Sequence, residues 1–590
     1  MYLEVGREGI RLGEKSGNEV FHRMESRILW ANGCINSNLS PEECAVAISA
    51  LSDKLSFKQA DRLFVGGYFV LLVDEQRKEI HMLRDTMGQR SGYYHYDASV
   101  GRLVIGTNMH DIARNITTDL SKFHTDFLLY QQYVVDGCTI YENIKEVPSG
   151  HILSWSAGGE VKCEEKKALP IEYVENDLSE VDNIRLLREH ILRVHTNYAG
   201  ADNVVYLSGG IDSCVMLASL HNICPDRVRA VSYRVANTRS DETVYAAEVA
   251  RHLGYVPEII TVDPMDKNIV ADYEADLMKA NNPYEGNWIF RPRPVTRGDV
   301  RYFAGQDTRL HTPSVNKVDM KVFDRISRRG LKSSWLERGV VNVYERISLA
   351  LGMYNSADRR IKYSHLLLNA MVPEWFLMKR KFMADPVKYK TWGYDETNFP
   401  AICDWYTLDL KKGMSPREIF NRIVERKWHE QYVNDMRYMV DMGIREQVQV
   451  LLPFYGCELN RFASTIPWEL ANRTMSGLSG FGNKKIQVNK YVLRKAFERE
   501  LPWSVMVRAK AVSLSQHLMM NGVFGKKIIQ VLQEDLGSKE SLCRRFGYAG
   551  KAQEIIARDE KWVEKDAYLA KFANYLSALC VYYRCNVLGK

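Results

Sequence analysis

Residues 204 to 213 read Val204 Val205 Tyr206 Leu207 Ser208 Gly209 Gly210 Ile211 Asp212 Ser213. A short apolar run enters a glycine-paired turn, and an apolar helix pattern leaves it. Adjacent glycines carry no Cβ to hold an anion off the backbone, and the turn aims successive N–H groups at it, backed by the N-terminus of the helix that follows. Ser208 and Ser213 add hydroxyl donors. The chemistry this implies is phosphate binding. No Gly-Lys-Ser/Thr follows, so the turn is not a Walker loop, and the spacing is not the GxGxxG of dinucleotide folds. Taken alone, Ser-Gly-Gly is also an ordinary strand-to-helix turn.

The elements needed to hold such a turn are legible around it. Strand 203 to 207, helix 213 to 221, strand 228 to 234, helix 240 to 253 and strand 257 to 262 alternate, which describes a parallel sheet covered by helices. From about residue 28 to residue 155 the pattern is different: short alternating strands such as Gly67–Val73 and Gly101–Gly106 predict antiparallel sheet. Ser, Gly, Glu and Lys replace the apolar pattern around residues 156 to 184 and mark a linker. Beyond about residue 320 long amphipathic stretches dominate, notably 417 to 444 and 563 to 585. The domains expected are therefore 1–165, a linker 166–184, and 185–590.

At 590 residues the chain exceeds a single core, and 46% apolar with 26% charged residues is ordinary globular composition. A net charge of +7 over this length does not identify a nucleic-acid binder. Arg291, Arg293, Arg297 and Arg301 form a local basic cluster, joined later by Arg325, Arg328 and Arg329; a solvated face or a phosphate role would each explain it. The eleven cysteines are scattered without a CxxC pair, with Cys214, Cys403 and Cys580 at core-type positions, so neither zinc nor a disulfide framework is suggested. Nothing resembles a signal peptide or a membrane span. A cytoplasmic setting is expected.

The SGGxDS turn, behind a buried-type strand, resembles the pyrophosphate loop of asparagine-synthetase-like ATP pyrophosphatases. Ser240 Asp241 Glu242 Thr243 Val244 Tyr245 Ala246 Ala247 Glu248 Val249 Ala250 Arg251 His252 Leu253 Gly254 is similar to the family's DExxYAxxVAxxLG stretch, although Asp241 and Glu242 are also plain helix-start residues. Val300 to Arg309 falls where the family carries SGxGxDE, with one glycine fewer and Thr308 for the usual glutamate. Val440 Asp441 and Gln449–Tyr455 resemble the segments that border the acceptor pocket, with Gln449 for a glutamate and Leu451 for an arginine. Val507 to Ser513 is similar to the RxKxxxS segment that supplies a catalytic lysine.

The resemblance implies ATP and Mg2+ as cofactors. It implies that Leu207 through Ser213, Val231, Ser232, Tyr233, Gly305 and Gln306 bind ATP, and that Asp212 and Asp307 hold the metal. Lys510 and Arg508 are the implied catalytic pair, since a fixed ammonium stabilises charge on the α-phosphate and on the oxyanion formed by amine attack. Asp441, Gln449 and Tyr455 are the implied substrate pocket.

The first half resembles a class II glutamine amidotransferase domain in Asn32 Gly33 Cys34 Ile35 Asn36, Gly67–Asp74, Leu83 Arg84 Asp85 through Gly88 and Tyr93 Tyr94, and Val147–His151. The implied fold is an α+β Ntn-hydrolase-like sandwich followed by an α/β synthetase domain, adenine nucleotide alpha hydrolase-like, with a largely helical extension. That family's nucleophile is a cysteine directly after the initiator methionine. Here Tyr2 stands there, the stretch before Asn32 is shorter than the family's, and Cys34 replaces a glutamine-binding glutamate and reads as a buried strand residue. The expectation is a retained fold without glutamine hydrolysis.

The leading function is thus ATP-dependent amide formation through an acyl-adenylate, with AMP and pyrophosphate released and the amine coming from the substrate. β-Lactam synthetases and lasso-peptide cyclases work this way, and for the latter a precursor peptide and its protease would be partners. Phe572, Tyr575, Tyr582 and Tyr583 on the last helix suit a peptide cyclase or simple core packing. The alternatives are amidation of a carboxylate by free ammonia and a non-catalytic nucleotide-binding scaffold.

Overall fold

The computed structural model describes the chain except residues 7–8, 14–18, 238–240, 283–299, 306–316, 351–369, 378–409, 476–485, 508–519, 558–566 and 590. Its first half is a sandwich of two sheets. β1 (Tyr2–Gly6), β2 (Gly9–Leu12), β7 (Tyr93–Asp97), β8 (Arg102–Gly106) and β9 (Lys145–Glu146) form one, in the order β2-β1-β8-β7-β9. β3 (Glu19–Met24), β4 (Arg27–Ile35), β5 (Phe64–Asp74), β6 (Glu79–Arg84), β10 (His151–Ser156) and β11 (Lys162–Lys166) form the other, in the order β11-β10-β6-β5-β4-β3. All pairings are antiparallel.

Side-chain alternation explains the layering. On β5, Phe69, Leu71 and Val73 point between the sheets with Leu3, Trp30, Leu103 and Ile105. The alternate residues Tyr68, Val70 and Leu72 face the opposite way, onto helices Pro41–Asp53 and Phe57–Leu63. A strand buried on both faces reads as a continuous apolar run, as this one does. The first 24 residues supply three strands that the expected start near residue 28 omits, and β11 carries the sheet into the expected linker. Residues after it lie against the second half: Glu172 N donates to Ser464 Oγ at 2.8 Å and Trp468 N to Glu175 Oε1 at 2.7 Å.

The second half is built on a five-stranded parallel sheet of β12 (Asp202–Tyr206), β13 (Val228–Val235), β14 (Glu258–Val262), β15 (Val300–Phe303) and β16 (Gln449–Leu451), in the order β14-β13-β12-β15-β16. Helix α1 (Glu180–Tyr198) leads in, capped by Ser179 accepting from Asp182 N and burying Leu187, Ile191, Val194 and Tyr198 at helical spacing. α2 (Ile211–Ile223) and α3 (Thr243–His252) are the crossovers. Stretch 417 to 444 is interrupted: helix Pro416–Lys427 passes through a π turn at Trp428–Val433 into α4 (Asn434–Arg445). On the final helix, α5 (Ala567–Tyr582), Phe572, Tyr575 and Tyr582 are buried, as is Tyr583 just past it, which makes them core packing.

No helix among the described residues is long and apolar enough to cross a membrane, and no described cysteine lies in a disulfide. The basic cluster does not assemble as one surface. Arg301 is buried and donates to the carbonyls of Tyr198 and Ile35 at 2.9 and 3.2 Å, and Arg325 pairs with Glu337 at 2.8 Å. Arg328 and Arg329 are exposed, and Arg291, Arg293 and Arg297 lie outside the described residues.

Beneath the sheet, His195 of α1 is fully buried against Phe303 and Phe454, with Nδ1 donating to Ile191 O at 2.8 Å. Burial pushes its pKa down to about 4, opposed by that hydrogen bond. A histidine kept neutral in the fold but free to charge near 6.5 when unfolded leaves stability intact above pH 6.5 and removes it as pH falls toward 4, by about 3 kcal/mol in all. Melting of wild type and His195→Gln at pH 7.5 and pH 4.5 checks this. The wild type should lose more on acidification; equal losses would show that His195 does not carry the dependence.

Candidate active site

In this sheet the chain runs β12, β13, β14 to one side and returns with β15 and β16 on the other. The loop leaving β12 therefore opens at the point where strand order reverses, where ligands bind in such folds. That loop is Leu207 to Gly210. Leu207 N donates to Val231 O at 2.8 Å, the last rung joining β12 to β13, after which the chain turns off the sheet. Gly209 has φ +71°, and a Cβ there would stand 2.9 Å from Ala246 N and Tyr245 Cβ. Only glycine permits both the left-handed backbone and the contact. The start of α3, within the stretch 240–254, is thus what the turn packs against.

The turn ties itself together through its serines. Ser208 N donates to Ser213 Oγ at 3.1 Å, Ser213 Oγ to Gly210 O at 3.1 Å and Gly210 N to Ser208 Oγ at 3.3 Å. α2 begins at Ile211 with Gly210 as its N-cap and no side-chain cap. A thirteen-residue helix thus presents its positive end, without a capping side chain, at the glycine turn. The residues present fit a phosphate chain.

Asp212, in the first turn of α2, meets a residue that sequence reasoning missed. Lys490 Nζ lies 2.6 Å from both carboxylate oxygens of Asp212, each side chain less than one-fifth exposed. Lys490 follows the hairpin strand Ile486–Asn489 and itself has φ 55°, in the left-handed region that a lysine seldom takes. Arg494 fixes that hairpin end, donating to Asn489 O at 2.8 Å and to Met506 O at 2.9 Å. The same guanidinium thereby anchors the residues that lead into 508–519. Arg508 and Lys510 lie outside the described residues. No local pattern points to Lys490, because a lone lysine between a strand and a helix looks like surface charge.

Beside the loop, β15 ends at Ala304 and Gly305. A Cβ on Gly305 would stand 2.6 Å from Met216 Cε and 3.1 Å from Phe454 Cε2, so β15 closes directly on α2 one turn past Asp212. Gln306 and Asp307 lie outside the described residues. Ser232 is buried and Tyr233 packs its ring on Tyr206 at 5.9 Å as β13 continues past the loop.

The three residues expected in the substrate pocket occupy the contact between the two halves. Asp441 on α4 accepts from Ser91 Oγ at 3.2 Å and Asn281 Nδ2 at 2.9 Å. Gln449 Oε1 accepts from Arg90 Nη2 at 3.0 Å. Tyr455 is buried against Trp428, whose indole N–H donates to Met87 O at 3.1 Å. Burial raises the Asp441 pKa although Arg437 and the two hydrogen bonds oppose it. Nearby, Glu146 is gripped by Arg437 at 2.8 Å and Arg84 at 3.0 Å, with His429 at 3.0 Å. Burial works to raise its pKa, but Arg437, Arg84 and His429 hold it well below the carboxylate range. Asp136, Glu146 and His429 lie close enough to hold a cation. Two guanidiniums already on Glu146 make the cluster an ion-pair centre instead.

Against known families, residues 195–274 and 302–572, more than half of the chain, match the model of asparagine synthase. The chain belongs to the asparagine synthase family. Residues 50–166 match a glutamine amidotransferase domain. The asparagine synthase match supports ATP-dependent amidation in general for the second half. No curated protein matches the chain. Among solved structures it is similar to the glutamine phosphoribosylpyrophosphate amidotransferase from B. subtilis complexed with ADP and GMP, at 12% identity over 48% of this chain and 57% of that one, TM-score 0.17. A structure titled the allosteric regulatory enzyme of purine biosynthesis matches at 11% identity over 41% and 62%, TM-score 0.17. The chain spans about three-fifths of the length of these structures, and superpositions this poor carry no argument.

The turn makes a direct prediction. Gly209→Ala combines left-handed strain of about 1–3 kcal/mol with the collision against α3, so Mg-ATP affinity should fall by at least about fivefold. Titration calorimetry measures it, and unchanged affinity would mean that the nucleotide does not use this turn.

Proposed function

We propose that this chain forms an amide bond by activating a carboxylate with ATP, the amine being carried by the substrate and not drawn from glutamine. The observation that supports the reading is the Lys490–Asp212 pair at the mouth of the Ser208–Ser213 turn. It sets a cation and a carboxylate beside an N-terminus lacking a capping side chain, the three groups that Mg-ATP needs. In this reading the backbone of Gly209 and Gly210 and the hydroxyls of Ser208 and Ser213 hold the β- and γ-phosphates. Lys490 leaves Asp212 for the phosphates when nucleotide enters. Asp212, with Asp307, would hold Mg2+, which would neutralise phosphate charge so that a carboxylate can approach.

The substrate carboxylate attacks the α-phosphorus, giving an acyl-adenylate and pyrophosphate. The amine then adds to the acyl carbon, and AMP leaves with the bonding pair. Lys510, with Arg508, stabilises the charge that builds on the α-phosphate and the oxyanion. Peptide macrocyclisation and natural-product amide synthesis are the reactions in which one molecule brings both groups. A precursor peptide and the protease that frees its amine are the partners this implies.

The amidotransferase half is read as lacking glutaminase chemistry. Cys34, in the place of the glutamine-binding glutamate, is buried in β4 with its thiol directed to Ile35 O at 3.8 Å. A cysteine enclosed in a sheet cannot present a thiolate to an amide substrate.

Pyrophosphate release from Mg-ATP with panels of carboxylates and amino-carboxylate peptides tests the reading. Wild type should release pyrophosphate and AMP with some member of the panel, and Asp212→Asn should not. Lys510→Ala should slow release by about 10². Binding of ATP with no release from any substrate would sink the catalytic reading, and full activity in Asp212→Asn would remove the metal role. Glutamine in the same mixture should yield no glutamate.

A further inference from the structure

The nucleotide site lies wholly in the second half of the chain, which leaves the amidotransferase-like half without a task. The contact between the halves suggests one. Arg437 and Asp441 are four residues apart and so share a face of α4. The first half holds both: Glu146 pairs with Arg437 at 2.8 Å and Ser91 donates to Asp441 at 3.2 Å. Arg90 donates to Gln449, the first residue of β16, at 3.0 Å. Arg90, Ser91, Glu146, Arg437 and Asp441 are all buried. These are directional, charge-assisted bonds in a low-dielectric contact, so they fix position more sharply than apolar packing does.

What they fix leads to the active site. α4 closes on β16 where a Cβ at Gly443 would stand 2.6 Å from Val450 Cγ2. β16 is three residues long, and Leu451 O accepts from Ala304 N at 3.0 Å. The chain then enters the Pro453–Tyr455 turn, where Phe454 meets Gly305, and Gly305 meets Met216 of α2. A path of bonded and packed residues thus runs from Arg90 to the helix that carries Asp212.

We propose that the amidotransferase-like domain serves this chain as a positioning element for the nucleotide site, with Arg90 acting through Gln449 to hold β16 and the Pro453–Tyr455 turn against Gly305 and α2. The proposal rests on the reading that the Ser208–Ser213 turn binds Mg-ATP. Arg90 is a positioning residue and touches no substrate.

The test uses the full chain with Arg90→Ala, Gln449→Ala, the double variant and Arg90→Lys. The probe is the Mg2+ complex of α,β-methylene-ATP, which cannot be cut between the α- and β-phosphates. Each single alanine variant should bind it about tenfold more weakly, a usual size for coupling between separate sites. The double variant should be no worse than the weaker single, because the two residues act through one bond. Arg90→Lys should recover part of the loss. Amide hydrogen exchange over 449–456 should quicken in Arg90→Ala with no nucleotide present. Wild-type affinity in the single variants, or losses that add in the double, would overturn the proposal. If Arg90→Ala does not fold, Ser91→Ala, which removes one hydroxyl from Asp441, is read by the same exchange measurement, and unchanged exchange over 449–456 counts against the proposal. If wild type fails to bind the probe, the functional reading falls, while the exchange experiment still decides the coupling.

Discussion

The left-handed turn at Gly209 is the constraint on which the second half depends. β12 must stop at Tyr206 and α2 must begin at Ile211, and between them the backbone must turn tightly enough to touch the start of α3. A side chain at Gly209 would break both the conformation and the contact. Because α3 is seated there, β13 and β14 take their places on one side of β12. Because α2 leaves the turn where it does, Gly305 can close on Met216 from the other side. The glycine turn's shape and the order of the sheet are consequences of the same four-residue geometry.

Charge is the second organising element, and it is used differently in two places. Beside the turn at Gly209, Lys490 and Asp212 keep some exposure, so their attraction is partly screened. Such a pair suits groups that take other partners when a highly charged ligand arrives. Between the two halves, Glu146 with Arg84 and Arg437 is shut away from water. Removing either sign there would leave the other stranded, so those residues hold their geometry whether or not they add net stability. A partly exposed pair at the turn and an enclosed cluster at the contact thus use charge in two different surroundings.

The alternation of β12, α2, β13, α3 and β14 was legible because buried parallel strands and their crossover helices have unmistakable periods, and each differs from expectation by only a few residues at its ends. The antiparallel half was legible in the same way, except at its beginning. β1 to β3 are not legible because they are short and interrupted, and the pairing of β1 with β8 is long-range. Stretch 417 to 444 was read as continuous because periodicity does not register a π turn at Trp428–Val433. Asp441 and Gln449 were assigned to a pocket from local resemblance, yet their polar atoms bond to Ser91, Asn281 and Arg90, residues 160 to 359 positions away. No local pattern carries that information.

By itself the sequence determined the glycine turn after β12, the two domain classes and the family, because each is written in contiguous residues whose types answer to local geometry. Glycine where φ is positive, serine where a backbone donor needs an acceptor, and apolar runs where a strand is covered on both faces all act within a few residues. Only the tertiary structure decided that Lys490 stands on Asp212, that Arg494 ties the hairpin end to the segment before Arg508, and that Arg90 reaches Gln449. Those contacts join residues 5 to 359 positions apart. Their physical cause is burial: once the core closes, a charged group must find its partner among whatever the fold has brought near, and that choice is made in space.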